Sequence, residues 1–90
     1  MTDKGLVLVV EDEPAIAQAI AHRFSAEGWR VEAAGDGLTG VSAAARLHPD
    51  VVLTWASGTP PDIVARLDAL HLHRVDIATF RLADVPVALR

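Results

Sequence analysis

Leu6-Val7-Leu8-Val9-Val10 is an unbroken apolar run, rich in β-branched residues, that ends at once in Glu11-Asp12-Glu13-Pro14. A strand with one wet face alternates apolar and polar residues. A run without alternation reads as a strand buried on both faces, as in a parallel sheet with helices on each side. Binding sites in such sheets lie beyond the carboxyl ends of the strands. The three acids stand at such an end.

The rest of the chain alternates in kind. Pro14 suits the first turn of a helix over Ala15 to Ala26, with Ile16, Ile20 and Phe24 as its apolar stripe and Gly28 as its stop. Trp29 to Ala34 reads as a strand, with Val31 and Ala33 on one face. Gly35-Asp36-Gly37 is a turn signal. Leu38 to Leu47 reads as a second helix, with Leu38, Val41 and Ala45 on its packed side. His48-Pro49 ends it, because a residue before proline avoids helical geometry. Val51-Val52-Leu53 is a third buried strand. At the next helix start Thr59 is the predicted cap, Pro60 the first position and Asp62 the capping-box acid. Ile63, Leu67 and Leu70 form that helix's apolar face. Val75 to Phe80 and Val85 to Leu89 are both candidates for a fourth strand. The order predicts a doubly wound α/β fold with right-handed crossovers in a parallel sheet, of about four strands and three helices.

Composition closes several routes. Ninety residues fit one domain, 1–90, and a 51% apolar content excludes intrinsic disorder as the main state. A formal charge of −4, with no Lys or Arg cluster, argues against a nucleic-acid surface. The absence of cysteine excludes disulfides and thiolate sites. No apolar run reaches the length of a membrane span, and Met1 to Gly5 lacks the features of a secretion signal. The expectation is a soluble, cytoplasmic protein.

Adjacent carboxylates can hold Mg²⁺, which takes one or two of them plus waters. They also favour the positive end of the following helix. The set VVEDEP, the AAGDG turn and PDVVL, over residues 6 to 53, resembles the first half of a response-regulator receiver domain. The resemblance implies a flavodoxin-like sheet, incomplete here, and phosphorelay signal reception rather than enzyme catalysis. It implies a sensor histidine kinase as partner and Mg²⁺ as cofactor. Carried over residue by residue, Glu11 and Asp12 match the family's metal-binding pair. Glu13 matches a position outside the core of the metal site.

The sequence departs from the family at its reactive centre. The third strand should end in a phosphoacceptor aspartate at position 55, and Trp55 stands there. An indole neither accepts a phosphoryl group at such a site nor offers a metal an oxygen. Asp50 begins the strand, roughly 16 Å from its far end. Thr54 is expected to point to the opposite face from position 55. Thr79 matches the family's switch Ser/Thr if Val75 to Phe80 is strand four; otherwise Arg90 falls near that position. The strand-five lysine has no counterpart, since the sequence's one lysine is Lys4.

The expected function is a receiver-like module not phosphorylated at position 55. The alternative is an interaction module, or a damaged reading frame, without ion or phosphoryl chemistry. A one-nucleotide shift of the codons for Thr54-Trp55-Ala56-Ser57 can give Asp-Leu-Gly-Leu, which resembles the family, though the shift restores nothing further on. A sheet of four strands also leaves an edge that invites self-association. His71 and His73 lack a third ligand, His22 and His48 are isolated, and Trp29 reads as packing. The glycines at positions 35, 37 and 40 form no phosphate loop, and Ser25, Ser42 and Ser57 sit in no nucleophile elbow.

Overall fold

The computed structural model describes residues 4–55 and 59–76. In chain order they form β1 (Leu6–Val10), α1 (Pro14–Ala26), β2 (Arg30–Ala34), α2 (Gly37–Leu47), β3 (Val51–Thr54), α3 (Pro61–Asp68) and β4 (Arg74–Asp76). All neighbouring strands pair in parallel, in the order β2-β1-β3-β4. β4 is the beginning of the first of the two candidate segments. Phe80, Thr79 and the second candidate, Val85 to Leu89, lie outside the described residues.

β1 lies inside the sheet, between β2 and β3, and all five of its residues are buried. Its alternate side chains serve two cores. Val7 and Val9 join Val51, Leu53, Phe24 and Trp29 on one face, where Ala17 and Ile20 of α1 pack. Leu8 and Val10 join Val52, Ala43, Ala44, Ile63 and Leu67 on the other, under α2 and α3. The absence of alternation in the sequence thus has its cause in helices on both faces.

α2 turns a different side to the sheet from the one its sequence predicts. Leu38 is 63% exposed, and Ala45 is exposed as well. Gly37, Gly40, Ala43 and Ala44 are buried instead. The physical reason is distance, because a Cβ on Gly40 would come within 2.7 Å of both methyl carbons of Val10. Small residues let the helix lie close on β1, so the buried stripe is the smallest rather than the most apolar one. Val41 keeps part of its predicted role, packing half-buried against the same core.

The helix ends follow local rules, with one shift. Gly28 leaves α1 at φ +97°, and His48 closes α2 in the left-handed region at φ 46°, just before Pro49. Asp36 caps α2 by accepting the Thr39 N–H at 2.8 Å. α3 starts one residue later than predicted, with Pro60 at the cap position and Pro61 inside the first turn. Thr59 caps nothing, because its hydroxyl is drawn to Thr54 and Asp76. Asp62 sits in the first turn without a capping-box partner, since the cap residue is proline.

The Gly40 contact predicts that Gly40→Ala lowers stability by about 1 kcal/mol. Overpacking against rigid Val10 should outweigh the roughly 1 kcal/mol gain in helix propensity. Gly35→Ala, where nothing lies within 4 Å of the added carbon, should stay within about 0.5 kcal/mol. Urea denaturation of both variants checks this, and a Gly40→Ala protein as stable as its parent would contradict it.

Candidate functional site

The carboxyl edge of the sheet gathers the candidate residues. Ala34, Val10, Thr54 and Asp76 pair in sequence across the four strands there. Glu11 and Asp12 therefore follow the end of β1, and Trp55 follows the end of β3 next to it. Glu11 stays in line with the sheet, its N–H donating to the Ala34 carbonyl at 3.0 Å. Its side chain is buried, at 5% exposure, and Oε1 accepts the Glu13 N–H at 3.3 Å. Asp12 and Glu13 are exposed. Glu13 also holds the start of α1, its carbonyl accepting the N–H groups of Ile16 and Ala17 at 3.1 Å.

Trp55 is 8% exposed and leaves the alternation of its strand. Continued as a strand, it would share the α1 face with Val51 and Leu53. It belongs instead to the core under α2 and α3, with Val52, Ala34 and Ile63. A Cβ on Gly37 would meet Trp55 Cη2 at 3.0 Å and Ile63 at 2.8 Å. The indole therefore fills the space between the start of α2 and the start of α3. The expectation that Thr54 and Trp55 face opposite ways does not hold, because β3 ends at Thr54 and the chain turns there.

Asp50 lies at the opposite end of the sheet. Its Oδ2 accepts the Leu6 N–H at 2.7 Å, which ties the start of β3 to the start of β1. Gly5, at φ +131°, leaves room for that carboxylate where a Cβ would stand. His71 is exposed at φ 57°, and His73 serves through its carbonyl, which accepts the Val52 N–H at 2.8 Å.

Sequence reasoning missed one cluster. Asp76 Oδ1 accepts from Arg74 Nη1 at 2.8 Å and from Thr54 Oγ1 at 3.0 Å, with Thr59 Oγ1 at 2.9 Å. Thr59 Oγ1 also lies 2.7 Å from Thr54 Oγ1, so its single proton serves one of the two acceptors. The signal that could have found Asp76 is its place at a strand's carboxyl end. The sequence did not choose between two fourth strands, so that place was not assigned.

These acids do not converge. The β1 acids and Asp76 stand on either side of β3, about 10 Å apart at two interstrand spacings. Among the described residues no three His, Cys, Asp or Glu side chains gather as a metal-binding group. Glu11 and Asp12 alone fit Mg²⁺ only as partners of a largely hydrated ion.

No family model matches the sequence. A probable transcriptional regulatory protein of Mycobacterium tuberculosis, TcrX, is 43% identical over 65 residues, which are 72% of this chain and 26% of that protein. The chain thus spans about a quarter of the length of this curated relative. A solved signal receiver domain of a modulated diguanylate cyclase from Desulfovibrio desulfuricans superposes with a TM-score of 0.69 at 28% identity, covering 80% of this chain and 62% of that one. The chain carries the receiver fold of response regulators. The receiver domain of the hybrid histidine kinase CckA shows the same fold, with a TM-score of 0.66 at 17% identity over 88% of this chain and 90% of that one. So does the chemotaxis protein CheY4 of Vibrio cholerae, at 0.56 and 19% over the same shares. The four parallel strands and three helices are an incomplete flavodoxin-like sheet. No helix among the described residues is long and apolar enough to cross a membrane.

In this receiver fold the Asp76 cluster has a pH signature. Burial pushes its carboxyl up, but the hydrogen bonds from Thr59 and Thr54 and the charge of Arg74 together hold it below its ordinary value of 3.8. A carboxyl lowered by folding adds stability above its unfolded pKa and loses it as pH falls through the folded one. The effect is small, because the Asp76 side chain is 41% exposed. Melting temperature should fall as pH drops below about 4, and Asp76→Asn should flatten part of that fall. Asp36 is lowered too, by the Thr39 backbone and hydroxyl, and accounts for part of what remains. An Asp76→Asn profile parallel to the parent's would contradict the role given to the cluster.

Proposed function

We propose that this chain is a non-enzymatic receiver module of a two-component phosphorelay, working through protein contact and not through an aspartyl phosphate at position 55. One observation carries the reading. The side chain at the end of β3, beside the β1 acids, is a buried indole wedged over Gly37 and Ile63. A carboxylate nucleophile needs a cation and an open approach for the phosphoryl group. Trp55 offers neither an oxygen nor an opening.

The partner proposed is a sensor histidine kinase or another signalling protein. The relative's naming as a transcriptional regulatory protein supports a regulatory setting. Glu11 and Asp12 are proposed to hold Mg²⁺ weakly, and Thr79, just beyond β4 in sequence, is proposed as the switch residue. When bound, the cation would neutralise phosphoryl oxygens of a partner's group. Glu11 is already turned into the protein and Asp12 outward, so the pair would recruit the ion without reorganising the sheet.

The deciding experiment incubates the chain with acetyl phosphate or beryllofluoride and Mg²⁺, read by intact mass and amide NMR. No mass gain is expected, with shifts confined to residues around Asp12. A stable aspartyl adduct at any residue would overturn the reading. Millimolar Mg²⁺ alone should leave the melting temperature nearly unchanged, because a third carboxylate is lacking. A large rise that disappears in Asp12→Ala would contradict weak binding.

A further inference from the structure

β2 is an edge of the sheet, with β1 on one side and no pairing strand on the other among the described residues. Its backbone shows which groups face outward. The Arg30 N–H donates to the Gly5 carbonyl at 2.9 Å, and the Ala34 carbonyl accepts the Glu11 N–H at 3.0 Å. In a parallel strand alternate residues serve the same neighbour, so positions 30, 32 and 34 bond to β1. Val31 and Ala33 therefore turn their N–H and C=O groups toward the open edge. Such an edge is a template for another strand unless something blunts it.

The side chains along this edge decide what fits. Arg30 and Glu32 are exposed, and they flank Val31 on the face that carries α2. We propose that a second copy of this chain pairs here, β2 against β2 and antiparallel, on a two-fold axis at Val31. That register sets the outward N–H and C=O of Val31 against those of its counterpart. It places Arg30 of each copy directly opposite Glu32 of the other, in the closely spaced pairs where cross-strand charges interact most. Ala33 then falls opposite Trp29, whose N–H is committed to the Phe24 carbonyl at 3.0 Å and whose C=O remains to accept.

Other symmetric registers are worse. Centring on Glu32 sets that carboxylate against its own copy. Centring on Ala33 sets Arg30 against Asp36, which already accepts the N–H and hydroxyl of Thr39. Two charges of one sign at positions 30 and 32 would have repelled a copy in the Val31 register, whereas one of each sign is self-complementary. The uncovered apolar surface lies on the same flank. Leu38, the one large apolar side chain exposed among the described residues, lines a groove of about 390 Å³ with Glu32, Ala33, Arg46 and Leu47.

Analytical ultracentrifugation of the full chain over a concentration series at low salt tests this. A reversible dimer is expected, weakened by added salt. Glu32→Arg sets like charges opposite each other twice and should weaken the dimer on the order of tenfold or more. The double exchange Arg30→Glu with Glu32→Arg restores both opposite pairs and should recover dimerisation. Both positions are exposed, so folding should survive, and circular dichroism confirms it. A monomer at every concentration, a Glu32→Arg dimer as tight as the parent's, or a double exchange that fails to recover would each overturn the proposal.

Discussion

Burial of β1 on both faces is the constraint from which the rest follows. Five consecutive apolar side chains must be covered from two directions, so α1 goes to one side and α2 and α3 to the other. Each uncovered residue of this kind would lose about 1.5–3 kcal/mol of transfer free energy. On the α2 side the cover has to come close, because Val10 stands under Gly40. A helix with a larger residue at that point would ride higher and open the core around Leu8 and Ala44.

The same arrangement determines what the carboxyl edge can do. β1 delivers Glu11 and Asp12 beside the end of β3, where a parallel sheet places its chemistry. The helix starts above that edge leave a gap, and Trp55 fills it between Gly37 and Ile63. One residue thus serves the core and removes the reactive group. The nearest polar cluster, around Asp76, is satisfied by Arg74, Thr54 and Thr59, and binds β4 to the loop before α3.

Much of the fold was legible because unbroken runs and punctuation signals are local. LVLVV, the Gly28 stop, the Asp36 turn and the His48-Pro49 break all depend on near neighbours. The buried face of α2 was not legible. Hydrophobicity favoured Leu38 and Ala45, whereas the deciding quantity was the distance to Val10, which only tertiary structure supplies. The Thr59 cap failed for a similar reason, since its partners come from β3 and β4. At the site, the acids after β1 and the odd tryptophan were legible from sequence, while Asp76 was hidden by the ambiguity over the fourth strand.

The central claim is that the Trp55 ring is a fixed part of the core at the place where a reactive carboxylate is expected. Nuclear Overhauser contacts from the Trp55 ring protons measure that placement directly. The account predicts strong contacts to the Ile63 methyls and to the α-protons of Gly37, unchanged on adding Mg²⁺ and beryllofluoride. A ring without those contacts, or one that swings away when the phosphoryl mimic is added, would contradict it.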